Sequence, residues 1–299
     1  METKYIVGVD AGGSKTRLRF AATDGGTVKD VTHPAGDWTN EDARGKALLI
    51  AARIREVTGL PPAAVGIGAH GCDSDAECAE LRAATEAELG VPVRVVNDAF
   101  LLAEAVPDGG PCAALVVGTG SIAVARHAAG GHSLYAGGWG WLIGDPGSAW
   151  GTVRCAVRAL SETENRTGST GGDPLLPALL AASGARSLRE VVGLMQRTPG
   201  RHWAGWAPTV FDAAEAGSPA ALAALRQGAA DLVSLVGDLL ARGADARRVV
   251  AGGSVIAGRP SLATRVASGL LARHGLPLTV FAGEPVAGAV LLARRTAAP

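Results

Sequence analysis

One pattern, present twice, constrains this chain more than any other feature. An apolar run, Tyr5-Ile6-Val7-Gly8-Val9, breaks into Asp10-Ala11-Gly12-Gly13-Ser14 and resumes from Leu18 to Ala22. A little over one hundred residues later, Ala113 to Val117 breaks into Gly118-Thr119-Gly120-Ser121 and resumes from Ile122 to Arg126. Each stretch reads as strand, glycine-rich turn, strand. Self-similarity at the scale of a domain points to duplication, with two related lobes and a cleft between them.

Around these hairpins, strands alternate with helices. Asp42 to Val57 places Ala47, Ile50, Ala51 and Ile54 on one helical face. Val65 to Gly68 is a short buried strand. Ser74 to Leu89 reads as a helix capped by Ser74 or Asp73 and stopped at Gly90. Val93 to Val96 is a strand ending at Asn97-Asp98, before a helix from Ala99 to Ala105. In the second half, a Gly/Ser/Thr-rich loop from Thr167 to Asp173 precedes helices at Pro174 to Ala182 and Pro219 to Arg242. The strand at Val249-Val250 runs into Gly252-Gly253-Ser254, and Glu284 to Arg295 reads as a final helix. Mixed strands and helices throughout define an α/β class.

Composition narrows the function classes. The chain has 299 residues, 47% hydrophobic and 19% charged, which fits two modest domains or one large one and excludes overall disorder. Lys+Arg and Asp+Glu number 28 each, so no cationic excess marks a nucleic-acid binder. The 42 glycines are about twice the usual share of roughly 7%, which supplies turns and places where backbone can approach a ligand closely. Cys72, Cys78, Cys112 and Cys155 form no CxxC pair, so a reduced, cytoplasmic protein is expected. The start of the chain has no signal-peptide apolar segment. Apolar stretches such as Val286 to Ala293 fall far short of the ~20 residues a spanning helix needs, so no membrane partner is expected.

Several stretches carry chemistry, each with a plainer alternative. In Asp10-Ala11-Gly12-Gly13-Ser14-Lys15-Thr16, Gly12 and Gly13 let backbone N–H groups converge on a phosphate, and Ser14 and Thr16 add hydroxyls. Asp10 at the strand end is the candidate metal ligand. The Walker A spacing fails, and an ordinary glycine hairpin is the alternative. Asp98 is placed to accept a proton from an attacking hydroxyl, or to cap the following helix. Gly66-Ile67-Gly68-Ala69-His70-Gly71 matches GxGxxG formally. Its first two glycines lie inside a strand, however, which argues against a dinucleotide site. His70 and Asp73 either face a substrate or are structural. The stretch from Gly137 to Gly151 holds three Trp and six Gly, which is not core periodicity. There the Trp139 indole suits a sugar face and Asp145 suits paired hydroxyls, unless the stretch is a tightly turned structural loop.

Together, these residues resemble the sugar kinases of the actin-like, hexokinase and Hsp70 ATPase superfamily, in the branch of the N-acetylglucosamine kinases and the activator ATPases of acyl-CoA dehydratases. Gly8 to Thr16, Lys15 included, resembles the first phosphate motif, and Gly118, Thr119, Gly120 and Ser121 the second. Asn40 stands where the branch has a turn ending in Asn. Asn97-Asp98-Ala99 resembles the first connection with its catalytic Asp, and Gly288-Ala289 the second. Gly138-Trp139-Gly140 through Ser148 is similar to the sugar loop, and Gly252-Gly253-Ser254 to the adenosine motif. The resemblance implies two actin-like (ribonuclease H-like) lobes: residues 1–107 completed by 285–299, and residues 108–284. It also implies ATP and Mg²⁺ as cofactors, with Asp10 holding the metal through water, and a homodimer.

The implied activity is transfer of the ATP γ-phosphoryl group to an amino-sugar 6-hydroxyl, with Asp98 as base. Asp37, Asn40, His70, Asp73, Asn97, Asp98, Trp139 and Asp145 are the candidate sugar contacts. Three departures bear on the sugar: Pro146 stands where relatives have Glu, Asp37-Trp38-Thr39 is bulkier and more acidic, and Ile122 replaces a polar residue. Asp37 and Asp73 add to Asp98 and Asp145, a set of acids that favours a protonated 2-amino group, hence glucosamine, over N-acetylglucosamine. The rivals are an activator ATPase, whose second phosphate motif is typically Gly-Gly-Gln-Asp, and a non-catalytic sugar sensor. A repressor of this superfamily would carry a helix-turn-helix ahead of the first motif, where this sequence has only a few residues.

Overall fold

The structure, a computed structural model, describes residues 5–13, 15–36, 38–106 and 110–298. It divides into two compact units: Met1–Pro111 with Gly130–Ser133 and Ala282–Pro299, and Cys112–Ala129 with Leu134–Phe281.

The first unit is built on strands β1 (Tyr5–Ala11), β2 (Lys15–Ala22), β3 (Thr27–Pro34), β4 (Val65–Ala69) and β5 (Val93–Asn97), in the order β3-β2-β1-β4-β5. β1 and β2 form an antiparallel hairpin that pairs Asp10 with Arg17 and Ala11 with Thr16. β4 and β5 add to β1 in parallel. Strand alternation then sorts the side chains. Val7 and Val9 of β1 join Leu18, Phe20 and Ile67 in one core with α1 (Ala43–Val57) and α2 (Asp75–Leu89). Ile6 and Ala21 point the other way, onto Val290 and Ala293 of the last helix, α13 (Val286–Ala297). α1 buries Ala47, Ile50, Ala51 and Ile54, the face its spacing predicts, with Asp42 accepting the Gly45 N–H as cap. α2 starts at the Ser74 cap and stops at Gly90, which takes the left-handed conformation with φ of 68°.

Close helix–strand approach explains the GxGxxG match. A Cβ on Gly66 would lie 2.2 Å from the Ala289 carbonyl oxygen, and one on Gly8 2.5 Å from the Val290 nitrogen. Both glycines let α13 sit directly on the sheet. Gly68 makes room for Leu101 in the short helix α3 (Phe100–Glu104), and Gly288 for the Leu101 carbonyl.

The second unit repeats the plan. Its strands are β6 (Ala113–Val117), β7 (Ser121–Arg126), β8 (Ser133–Gly137), β9 (Val249–Gly252) and β10 (Leu278–Val280), in the order β10-β9-β6-β7-β8. With β6 in the place of β1, this is the same order read from the other edge: an antiparallel hairpin, then parallel strands. The duplication read from the two hairpins is therefore present as two sheets of matching topology, and the chain is an α/β protein with two actin-like lobes. One core of mainly Ala, Leu and Val joins α5 (Ala149–Thr167), α9 (Ala207–Glu215), α10 (Pro219–Ala241) and α12 (Pro260–His274) to this sheet. The remaining helices are α4 (Gly140–Ile143), α6 (Leu175–Ser183), α7 (Leu188–Arg197), α8 (Gly200–Ala204) and α11 (Ser254–Gly258).

Four differences from the sequence reading have physical causes. β3 is mostly exposed, so its sequence lacks an apolar run. β8 is a five-residue strand that runs straight into the glycine-rich stretch. α5 begins within that stretch, at the Ser148 cap, and extends to Thr167, so the following loop is one residue shorter. Asp98 does not cap α3, whose start has no side-chain cap.

Candidate functional site

In the first unit, the ends of β1, β4 and β5 bring four chemical groups together. Asp10 is the next-to-last residue of β1. Burial, with Asp98 adding its charge, pushes the Asp10 carboxyl up to about 7, while Lys15 and Arg17 oppose the shift. Asp98 follows β5 directly, and burial pushes its carboxyl upward too, against the His70 imidazole and the backbone N–H groups of Ala99 and of Asp98 itself. His70 follows β4, with its Nδ1 3.8 Å from Asp98 Oδ2. Gly12 donates to the Lys15 carbonyl at 3.0 Å and closes the turn, and Lys15 is exposed at its far side.

The loop positions of β4 and β5 are fixed by Asn97. Its Nδ2 donates to the Cys72 carbonyl at 3.1 Å and to Asp73 Oδ1 at 2.9 Å. Its Oδ1 accepts the Ala99 N–H at 3.0 Å. With the side chain buried and three of its four hydrogen-bonding functions engaged, Asn97 braces the base instead of presenting itself to a sugar. Asp73 is exposed but spends one oxygen on this brace. Thr16 also departs from expectation. It shares one face of β2 with Leu18 and Phe20 and is fully buried, and among the described residues its hydroxyl has no hydrogen-bond partner. Asn40 is exposed at the end of a 3₁₀ turn, Trp38–Asn40, whose Trp38 is fully buried. Ser14 and Asp37 lie outside the described residues.

In the second unit, the β6–β7 turn meets the sugar-loop candidate and the 252–254 segment. Gly118 donates to the Gly120 carbonyl at 2.9 Å, and its own carbonyl accepts the Ala149 N–H at 2.9 Å. Thr119 is exposed at the tip. Ser121 is buried and donates to the Pro146 carbonyl at 2.8 Å, so its hydroxyl pins the loop and is not offered to a nucleotide. Asp145 stands against this turn: a Cβ on Gly120 would lie 2.6 Å from its Oδ2. Asp145 is buried in a left-handed backbone conformation, φ 56°, rare for a residue other than glycine. Its Oδ2 accepts the Trp150 indole N–H at 3.1 Å, while among the described residues Oδ1 has no hydrogen-bond partner. Burial pushes its carboxyl above the ordinary range. Trp139 is 75% exposed, with Leu142 and Ile143 exposed beside it. Beyond Gly252, Gly253 has φ of 106°, and a Cβ there would lie 2.5 Å from the Val117 carbonyl oxygen, so this crossing of β6 and β9 requires glycine.

No family model matches the chain. The N-acetylmuramic acid/N-acetylglucosamine kinase of Clostridium acetobutylicum is 27% identical over 173 residues, 55% of this chain and 56% of that protein, so the match spans about half of the relative's length. A solved structure from Chromobacterium violaceum, assigned as a candidate N-acetylglucosamine kinase, superimposes with a TM-score of 0.73 at 26% identity over 97% of this chain and 98% of that one. The chain has the fold of the actin-like sugar kinases. The ROK family glucokinase of Streptomyces griseus, solved with glucose and AMPPNP, shares it at 19% identity, with a TM-score of 0.60 over 98% of this chain and 99% of that one.

Within this sugar-kinase fold, the residues present fit a divalent cation and a nucleotide. Asp10 is a half-buried carboxylate whose neighbour Asp98 carries the same sign, a site that a cation would relieve. Among the described residues no cluster of three or more His, Cys, Asp or Glu could hold a metal, so a cation there would rely on water and phosphate oxygens, as Mg²⁺ commonly does. A Cβ on Gly118 would lie 3.8 Å from the Ser254 nitrogen and hydroxyl, so the β6–β7 turn and the 252–254 segment are close neighbours. The sequence reading did not single out Arg154. Its guanidinium donates to the Gly144 carbonyl at 2.7 Å and to the Trp141 carbonyl, tying the sugar loop to α5. The signal was present: an Arg one turn into an amphipathic helix that opens directly after a glycine-rich loop.

Proposed function

We propose that this protein is an ATP-dependent amino-sugar kinase that phosphorylates the 6-hydroxyl of N-acetylglucosamine in preference to glucosamine. The observation that carries the reading is Asp98: a half-buried carboxylate just beyond the end of a strand, braced through Asn97 and close enough to Asp10 to raise the charge cost of that second carboxylate. A base so placed orients an alcohol and takes its proton as the phosphoryl group arrives.

From the first unit, Asp10 would hold Mg²⁺, Gly12, Gly13 and Lys15 would line the phosphates, and Asn40 would meet the sugar. From the second unit, Gly118, Thr119 and Gly120 would line phosphates, Gly252 to Ser254 the adenosine, and Trp139 and the open Oδ1 of Asp145 the sugar. Bound Mg²⁺ neutralises phosphate charge; the chain's part is positioning and exclusion of water.

Two observations favour the acetylated sugar. Two of the three proteins named above, those of Clostridium acetobutylicum and Chromobacterium violaceum, are a kinase and a candidate kinase of N-acetylglucosamine. The charge argument for a free amine is also weakened, because Asp73 gives one oxygen to Asn97. The test is product formation with ATP, Mg²⁺ and each of N-acetylglucosamine, glucosamine and glucose, followed by mass and by the position of the new phosphate. The highest kcat/KM with N-acetylglucosamine and a 6-phosphate product are expected. A higher kcat/KM with glucosamine would reverse the preference, and no sugar phosphate from any of the three would overturn the kinase.

A further inference from the structure

His70 is held in place by its main chain on both sides. Its N–H donates to the Ala11 carbonyl at 2.8 Å, at the mouth of the first glycine turn. Its carbonyl accepts the indole N–H of buried Trp38 at 3.0 Å. The backbone is thereby fixed, while the imidazole is 52% exposed. One edge of the ring faces the turn: a Cβ on Gly13 would lie 3.4 Å from both its Cδ2 and its Nε2. The opposite edge carries Nδ1, 3.8 Å from Asp98 Oδ2.

We propose that His70 is a positioning residue for the reaction, its Nδ1–H holding the Asp98 carboxylate in the orientation that meets the acceptor hydroxyl. The inference rests on the kinase reading and adds a residue to it. A separation of 3.8 Å exceeds a hydrogen bond, which closes at about 2.7–3.2 Å. Contacts of this kind are commonly long without substrate and tighten in the reactive complex. Asp98 needs such a partner. Asp73 and Asp10 face it with like charge, Lys15 and Arg17 act on Asp10, and backbone N–H groups supply only part of the compensation. Asn97 fixes the backbone beneath Asp98 and the Ala99 and Asp98 N–H groups reach the carboxylate from the main chain, while His70 is the side-chain donor beside Oδ2. A carboxylate misplaced by about 1 Å can cost about 100-fold in rate.

Three variants separate this role from packing against Gly13. His70→Asn carries an amide N–H near the position of Nδ1, His70→Gln carries one near Nε2, and His70→Ala carries neither. Steady-state kinetics on the full chain with ATP, Mg²⁺ and N-acetylglucosamine should show kcat down about 10- to 100-fold in His70→Ala, with both KM values within about threefold of wild type. His70→Asn should regain most of the loss and His70→Gln little. An Ala variant with kcat within about threefold of wild type would overturn the proposal, as would equal activity in Asn and Gln, or a change confined to the KM for ATP. If the Ala variant does not fold, the comparison of Asn with Gln decides alone. Wild-type protein that turns over no sugar would overturn the kinase reading together with this one; wild-type turnover with an indifferent His70→Ala overturns this one only.

Discussion

A half-buried carboxylate beside a second one works against the fold that holds it, and Asp10 is in that position beside Asp98. Its pKa near 7 lies above the ordinary 3.8, so the native state holds a proton that the unfolded chain has already released. The stabilisation from that protonated form is complete below about pH 4 and is lost as pH rises through 7. Asp10→Asn should therefore raise the melting temperature at pH 8 in metal-free buffer, have little effect at pH 4, and abolish turnover; thermal melts across that pH range check it. An unchanged or lowered melting temperature at pH 8 would show that Asp10 is already compensated. Asp30 works in the opposite sense. Hydrogen bonds from Arg19 and Arg17 hold it down to about 2, and Glu284 joins the same cluster. Its contribution is present above pH 4 and is lost as pH falls toward 2, so acid melts of Asp30→Asn should converge with wild type near pH 2.

At the scale of elements, glycine decides where helices can sit. Gly66→Ala would drive a Cβ against the backbone of α13 at Ala289 and Ala293, with no flexible side chain to yield. A loss of about 1–3 kcal/mol is expected for such overpacking, read as a lower denaturant midpoint. Arg154→Ala should loosen the sugar loop at Gly144 and Trp141, raising the sugar KM more than the ATP KM in steady-state kinetics. The strand ends carrying Asp10 and Asp98 were legible because apolar runs stop abruptly at polar residues. So were both glycine turns and the buried face of α1. The burial of Thr16 and Ser121 was not legible, because a hydroxyl in a glycine turn looks exposed until strand alternation assigns its face. The brace made by Asn97 was hidden because it depends on β4 and β5 being neighbours, a fact of topology that no local pattern carries. β3 stayed hidden because an exposed strand has no apolar alternation to display.

For the whole molecule, duplication is the organising fact. One strand order serves both units, and the residues at equivalent hairpin turns have diverged: Asp10 and Gly13 in one, Thr119 and Gly120 in the other. The first unit holds Asp10, His70 and Asp98 at the ends of β1, β4 and β5; the second holds the exposed indole of Trp139 and the buried carboxylate of Asp145. On the proposed function, this chain moves a phosphoryl group to a sugar with Asp98 as the base. The most direct test is sugar-dependent ADP release by wild type and by Asp98→Asn, with N-acetylglucosamine as acceptor and thermal melts to show that both are folded. The account predicts robust release by wild type and a loss of about 10²–10⁴-fold in kcat for a folded Asp98→Asn. Near-normal release by folded Asp98→Asn would contradict it.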